Sequence, residues 1–250
     1  MIEVKGLYKS FGDQEVLRGV DLLVPKGQIT VILGRSGAGK SVLLKHMIGL
    51  IRPDRGQILV MGKDITKMRE KELTQLRKRF GMLFQEGALF DSLTVAENVA
   101  FPLREHTDLS EKEIREIVKE KLSQVGLAGD MEKMPAELSG GMRRRAALAR
   151  ALALDPDIVL FDEPTTGLDP VVAATIEDLI IETQRRLGKT FVVITHDLKT
   201  ALRIGQKLAL LDRGQIALQG KPEDVLRSGH PLLEAFLRRE RSPVVKEVMG

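Results

Sequence analysis

The chain has 250 residues, 43% of them hydrophobic and 30% charged, with 39 basic against 35 acidic side chains and no cysteine. That composition excludes a disordered chain, a disulfide scaffold or thiolate metal site, and a nucleic-acid-binding field spread over the whole surface, since the net charge is only +4. No apolar run approaches the roughly 18 residues that span a bilayer, and the first residues, with Glu3, Lys5 and Lys9, carry no signal-peptide core. A cytoplasmic chain is expected, acting on a membrane only through a partner.

Short strands are expected over 2–4 and 16–24, joined across Gly12-Asp13. Phe11, just before that turn, fits two roles equally: an exposed aromatic that stacks on a base, or a half-buried hairpin side chain. The apolar run 29–33 reads as a buried strand. It leads into Gly34-Arg35-Ser36-Gly37-Ala38-Gly39-Lys40-Ser41, followed by Val42-Leu43-Leu44. Strand, glycine-rich loop and helix start are the context that the phosphate-binding pattern G-x-x-x-x-G-K-[ST] requires. The glycines let N–H groups turn inward around an anion, and the helix beyond adds its unpaired N–H groups and positive dipole end. Lys40 is expected against the β and γ phosphates of a nucleotide, and the Ser41 hydroxyl on Mg²⁺.

A helix over 40–48 stopped by Gly49, a turn at 53–56, a strand at 58–61, a polar helix over 70–79 with Leu73 and Leu76 inward, and a strand at 82–84 follow. Beyond Gln85 helical patterns replace strands until about residue 153, which predicts an α-helical insert, about 87–156, in an α/β core made of 1–86 and 157–220. Within it, Ser110 and Glu113 form a capping box, and Ile114, Ile117, Val118, Lys121 and Leu122 share one helix face up to Gly126 and Gly129. The run 158–161, bounded by Pro156 and Pro164, is a buried strand. Asp169-Pro170 then opens a helix striped with Val172, Ile176, Leu179, Ile180 and Leu187 and closed by Gly188. A strand at 191–194 and a hairpin of 208–211 with 216–218 complete the core. Residues 221–250 form a polar, basic extension that includes Arg238, Arg239 and Arg241, and its stretch 231–237 is expected to pack on a second copy of the chain.

Four further features carry chemistry. Asp162 ends a buried strand, where a second carboxylate would hold Mg²⁺ through water, and Glu163 beside it is the natural general base for the water that attacks a γ phosphate. Such a pair is costly in an apolar strand end unless a cation or proton compensates it. Gln85, at the border of the insert, offers a neutral amide to the Mg²⁺ shell or to a water. Leu138-Ser139-Gly140-Gly141-Met142 opens the helix 143–153, a second helix terminus suited to an anion. One chain with one nucleotide has no use for two such sites unless two chains meet head to tail. His196 follows the strand 191–195 at the level of Asp162, placed to donate to a γ phosphate and to orient Glu163.

With this ordered set, together with Gly167-Leu168-Asp169, the chain resembles the ATP-binding-cassette ATPases over roughly residues 1–220. The resemblance implies a phosphate-loop NTPase core with an N-terminal antiparallel β subdomain. It also implies ATP and Mg²⁺ as cofactors and an ATP-sandwich homodimer with Asp169 at its seam. Phe11 would stack on adenine, and the chain would sit peripherally on the cytoplasmic face of the inner membrane, without nucleic acid. Two positions depart from the family pattern: Val42 replaces a usual threonine or serine, and Met142 a usual glutamine. A closer resemblance runs from Phe84-Gln85-Glu86-Gly87-Ala88-Leu89-Phe90-Asp91-Ser92-Leu93-Thr94-Val95 to Leu103 and, with Met142, looks like the ATPases of Mce-associated lipid transporters, including the bacterial system that maintains outer-membrane lipid asymmetry. There, Leu89, Phe90, Leu93 and Phe101 beside Gln85 would receive a short cytoplasmic helix of a permease within 85–103. An importer ATPase for amino acids or ions is an alternative. A non-transport clamp on DNA or ribosomes would carry a long coiled-coil insertion or two cassettes, and a simple phosphate-loop kinase leaves residues 138–142 unexplained.

Overall fold

A computed structural model describes the backbone of residues 1–241 and the side chains through Arg238. Strands β1 (Ile2–Phe11) and β2 (Gln14–Val24) form a hairpin, and β3 (Ile29–Leu33) leads through the loop to helix α1 (Lys40–Met47). β4 (Arg55–Val60) and β5 (Lys63–Asp64) return to the hairpin, giving an antiparallel sheet in the order β2-β1-β4-β5. After α2 (Glu70–Arg77) and β6 (Phe80–Leu83) come three helices, α3 (Val95–His106), α4 (Glu111–Gln124) and α5 (Gly140–Leu152). The chain then alternates: β7 (Ile158–Asp162), α6 (Pro170–Leu187), β8 (Thr190–Thr195), α7 (Leu198–Ile204) and β9 (Lys207–Asp212). β10 (Gln215–Gly220), α8 (Pro222–Arg227) and α9 (Pro231–Arg241) end it. The second sheet has the order β10-β9-β3-β8-β7-β6, parallel except for β10.

Strands of a parallel sheet covered on both faces are apolar throughout, yet their side chains still alternate. Ile29, Val31, Leu33, Val159, Phe161, Phe191 and Val193 face the core shared with α3–α7. Ile32, Ile158, Leu160, Val192 and Ile194 face Leu43, Leu44 and Met47 of α1 and the inner side of the antiparallel sheet. Helix α1 is thus held between two sheets. Register then sets the carboxyl edge: Leu33 lies opposite Thr195, Asp162 opposite Ile194, and Leu83 opposite Phe161. The residues that follow these strand ends come out along one rim, the usual ligand edge of an open α/β sheet.

Several boundaries differ from the sequence reading. β1 runs to Phe11 rather than Val4 because a bulge between Val4 and Leu7 breaks its alternation. β4 starts at Arg55, inside the expected turn. α2 stops at Arg77 and β6 occupies 80–83, so Phe84 stands outside the strand, exposed. The stretch after β6 is not helical until Val95, where Thr94 and Glu97 form a capping box that the sequence reading passed over. Leu233 and Phe236 of α9 are buried in the chain's own core, so these two anchors are not available to a second copy. Residues 242–250, and the side chains of Arg239 and Arg241, lie outside the described residues.

The irregular stretch before α3 is organised by one buried polar side chain. Asn98, fully buried, accepts from Phe90 N–H at 2.8 Å and donates to the carbonyls of Phe90, Leu93 and Thr94 at 3.1, 3.1 and 3.0 Å. Its removal would leave several part-buried backbone groups without this partner. Asn98→Leu is expected to cost about 2–4 kcal/mol of unfolding free energy, read as a lower midpoint in urea denaturation.

Candidate functional site

The loop between β3 and α1 is shaped by close approach. A Cβ on Gly34 would lie 2.6 Å from the carbonyl oxygen of Leu211, and Gly39, at φ +99°, would press one onto Leu17 and the carbonyl of Val16 at 3.0 and 3.2 Å. Only glycine fits both positions. No side chain caps α1 and no acidic residue lies in its first turn, so its N-terminal N–H groups and dipole face the loop unopposed. Arg35 accepts from Ala38 N–H to close the turn around Ser36 and Gly37. Lys40 is buried and donates to the carbonyls of Gly34 and Arg35 at 2.8 and 3.2 Å.

Two carboxylates reach the same rim from β7. Asp162 accepts from the Ser41 hydroxyl at 3.4 Å, and burial pushes its carboxyl above the usual range, a rise that the Ser41 bond opposes and the neighbouring Glu163 carboxylate increases. Glu163 is buried and sits at φ +50°, a left-handed backbone that costs a non-glycine residue energy and is concentrated at functional sites. Its Oε1 lies 3.3 Å from Lys40 Nζ. Its Oε2 accepts from the Thr166 hydroxyl at 3.0 Å and the His196 N–H at 3.3 Å, and faces His196 Nδ1 at 2.8 Å. The proton of that contact belongs on Nδ1. Donation from Nε2 to a second anion then requires the imidazolium form.

Other predicted residues gather elsewhere. Ser139 caps α5 by accepting from Met142 N–H at 3.3 Å, while the Met142 side chain packs, half-buried, on the helical core. Methionine at this position therefore serves packing. Val42 likewise packs on the core between the sheets, which accounts for an apolar residue at that departure. Asp169 spends Oδ1 on the N–H groups of Val171 and Val172 at 3.1 and 3.0 Å, capping α6 as its sequence position predicts. Gln85, exposed, lines a cleft with Gly140, Arg144, Thr166, Gly167 and Leu168, and no residue of the phosphate loop borders that cleft. Within one chain, hydrogen bonds and ion pairs join Gly34, Arg35, Lys40, Ser41, Asp162, Glu163 and His196, while the Ser139 and Asp169 side chains bond the first turns of their own helices.

Phe11 is 47% exposed at the end of β1. Phe84, Phe90 and Phe101 are also exposed, and with Met82, Pro102 and His106 they line a groove between α2, β6, α3 and the end of α5. The rings of Phe90 and Phe101 are 4.8 Å apart. Leu89 and Leu93, expected on this surface, are half-buried, Leu89 against the helical core; Phe84, left outside its strand, takes their place.

The sequence profile described as ABC transporter matches residues 17–166. The chain belongs to the ABC transporter family. The ATP-binding protein MlaF of an intermembrane phospholipid transport system in Haemophilus influenzae is 46% identical, the match covering 98% of this chain and 93% of MlaF. A probable ribonucleotide transport ATP-binding protein of Mycobacterium leprae, mkl, is 50% identical over 96% of this chain and 69% of its own length. Among solved structures, the dimeric cassette MJ0796 bound to ADP and Pi superposes with a TM-score of 0.80 at 33% identity, covering 89% of this chain and 99% of that one. CbiO1 from Clostridium perfringens gives 0.84 at 31%, covering 99% and 98%. As an ABC ATPase the chain is an ATP-hydrolysing enzyme, and its α/β fold with an antiparallel β sheet and added helices is that of the family.

Two side chains of this ABC ATPase escaped the sequence reading. Thr166 holds Glu163, and buried Arg144 donates to the carbonyls of Pro164 and Thr166 at 3.2 and 3.3 Å, locking the Glu163 turn to α5. Neither falls at a diagnostic spacing; the Thr165-Thr166 pair after Pro164 was the only available hint. The raised Asp162 carboxyl also makes a prediction with a definite sign. A group with a folded pKa above its unfolded one destabilises the fold as pH rises past the unfolded value. Asp162→Asn should therefore raise the melting temperature at neutral pH, without nucleotide or divalent cation. Differential scanning calorimetry should show the gain shrinking at pH below the Asp162 range.

Proposed function

We propose that this chain is the ATPase subunit that powers a membrane permease for phospholipid, and that residues 34–41 with Asp162, Glu163 and His196 form its hydrolytic half-site. The observation that carries the reading is the Glu163 carboxylate, buried on a strained backbone beside the phosphate loop and oriented through both oxygens. Backbone N–H groups of the loop and Lys40 hold the phosphates. Glu163 takes the proton of the attacking water, and His196 and Thr166 keep its carboxylate aimed. Phe11 stacks on the adenine ring.

The donors that meet at the loop fit Mg²⁺: the Ser41 hydroxyl and the Asp162 carboxylate are oxygen donors 3.4 Å apart, and burial leaves Asp162 in want of a cation, while Gln85, in the neighbouring cleft, would join the ion's shell only through water or on closure. Among the described residues no group of three or more His, Cys, Asp or Glu could hold a metal unaided. That suits an ion shared with substrate phosphates. Once bound, the ion neutralises phosphate charge, and Ser41 and Asp162 fix its place.

Ser139, Gly140 and Gly141 supply the other half-site from a second copy across an ATP-sandwich dimer, with Asp169 at the seam. That Gly140 lines a cleft bordered by no phosphate-loop residue, and that Ser139 and Asp169 bond their own helix starts, supports that arrangement. The permease docks along 85–103, where Phe90 and Phe101, with Phe84 beside them, line the groove, at the cytoplasmic face of the inner membrane. Among the described residues no helix is long and apolar enough to cross a membrane. For cargo, the phospholipid reading draws on the near end-to-end match with MlaF, against the partial coverage of the ribonucleotide-named relative.

Glu163→Gln is expected to retain ATP binding while turnover falls about a hundredfold or more, the scale of a lost acid–base group; steady-state hydrolysis with a parallel binding titration measures both, and near-normal turnover would refute the assignment. Phe101→Glu should leave hydrolysis by the isolated subunit intact and abolish co-purification with the permease. Mass spectrometry of lipid bound to the purified complex tests the cargo.

A further inference from the structure

Lys9 and Phe11 stand two residues apart on β1, and the Lys9 ammonium lies 5.5 Å from the centroid of the Phe11 ring. That ammonium is not free to wander. Asp54, in the turn before β4, accepts from Lys9 Nζ at 2.8 Å through one oxygen and from Ser10 N–H at 2.6 Å through the other, and its own N–H donates to the Tyr8 carbonyl at 2.9 Å. The Lys9 side chain is only 17% exposed, although it lies near the end of its strand and carries a charge. The Lys9 and Ser10 bonds hold the Asp54 carboxyl below the ordinary range, so Asp54 is a carboxylate at neutral pH.

The placement matters as much as the contact. Lys9 pairs across the hairpin with Leu17, and Leu17 is the side chain that a Cβ on Gly39 would strike. One strand therefore separates Lys9 from the phosphate loop. A bulge between Lys9 and Ser10 turns the end of β1 at that point, and the Asp54 carboxylate pins the Ser10 N–H there.

We propose that Lys9, anchored by Asp54, is a positioning residue for the nucleobase. The ammonium holds the Phe11 ring by one face and leaves the other for the base of the nucleotide whose phosphates the loop binds. A ring fixed in advance loses less conformational freedom on stacking. Asp54 also keeps the Lys9 charge on the ring and away from the phosphates, to which a loose ammonium so near the loop would be drawn. The inference rests on Phe11 being the base platform.

A double-mutant cycle on the full chain tests it, with ATP dissociation constants from calorimetric titration and KM and kcat from steady-state hydrolysis. Lys9→Met keeps the length of the stem and removes the charge; it is expected to weaken ATP binding and raise KM about two- to fivefold, the size of an exposed cation–π contact, with kcat little changed. Phe11→Ala should weaken binding by about tenfold, within the range of base–aromatic stacking. In the Phe11→Ala background Lys9→Met should add nothing, and Lys9→Arg, which retains a cation over the ring, should bind ATP as the parent does. If Lys9→Met weakens binding equally with and without Phe11, Lys9 acts elsewhere and the proposal is overturned. If it has no effect while Phe11→Ala does, the positioning role fails and the stacking role stands. If Phe11→Ala itself has no effect, the stacking role falls and the inference with it.

Discussion

The Glu163 carboxylate is the junction on which the rest of the site depends. Its partners come from separate parts of the chain: Lys40 after β3, His196 after β8, and Thr166 in its own turn. A buried carboxylate is tolerable only when such donors surround it, so its burial and the convergence of those strand ends require each other. The left-handed backbone at Glu163 has the same origin. It is held by the Glu163 N–H donating to the Ile194 carbonyl at 3.0 Å and by Arg144 gripping the following carbonyls. Strain of this kind persists only where the surroundings over-determine it.

The parallel sheet converts sequence distance into proximity. Residues 34, 163 and 196 are far apart along the chain, yet each directly follows a strand whose register with its neighbour is fixed by alternating burial on two covered faces. A one-residue slip would send Val159 and Phe161 into the layer of Leu43 and Met47. The core therefore does more than stabilise the molecule, because its side-chain order sets the level at which residues 34, 163 and 196 emerge. Helix α1, wedged between two sheets, has little room to shift its N-terminus away from that level.

Much of this was legible in the chain itself. The strand 29–33, the phosphate loop, the Asp169-Pro170 helix start and the Ser110 capping box depend on local backbone chemistry, which sequence records directly. Lys40, Asp162, Glu163 and His196 could be placed on one rim because each follows a short apolar run. What escaped was set by backbone geometry and by which groups become buried, neither of which residue spacing records. The length of β1 was hidden by a bulge, and the exposure of Phe84 depended on where β6 stops. Thr166 donates to the Glu163 carboxylate, and Arg144 and Asn98 bond backbone groups, partners that no spacing rule assigns to them. The stretch 231–237 read as free for a second copy because nothing local announced that Leu233 and Phe236 complete the chain's own core.

Helix α5 carries Ser139 at its N-terminus and, near its other end, Arg150, which donates to the carbonyls of Ala88 and Gly87 at 2.7 and 2.8 Å and lies over the Phe90 ring. Between them, Arg144 fastens the helix to the Glu163 turn. Thirteen residues make a rod of about 20 Å, and a tilt of about 5° about one end moves the other by nearly 2 Å, enough to make or break a hydrogen bond. A push on the aromatic groove that rocked this rod would reach the serine as displacement, and a closing force on the serine would return along the same rod. One rigid element thus ties the aromatic groove, the Glu163 turn and Ser139 together.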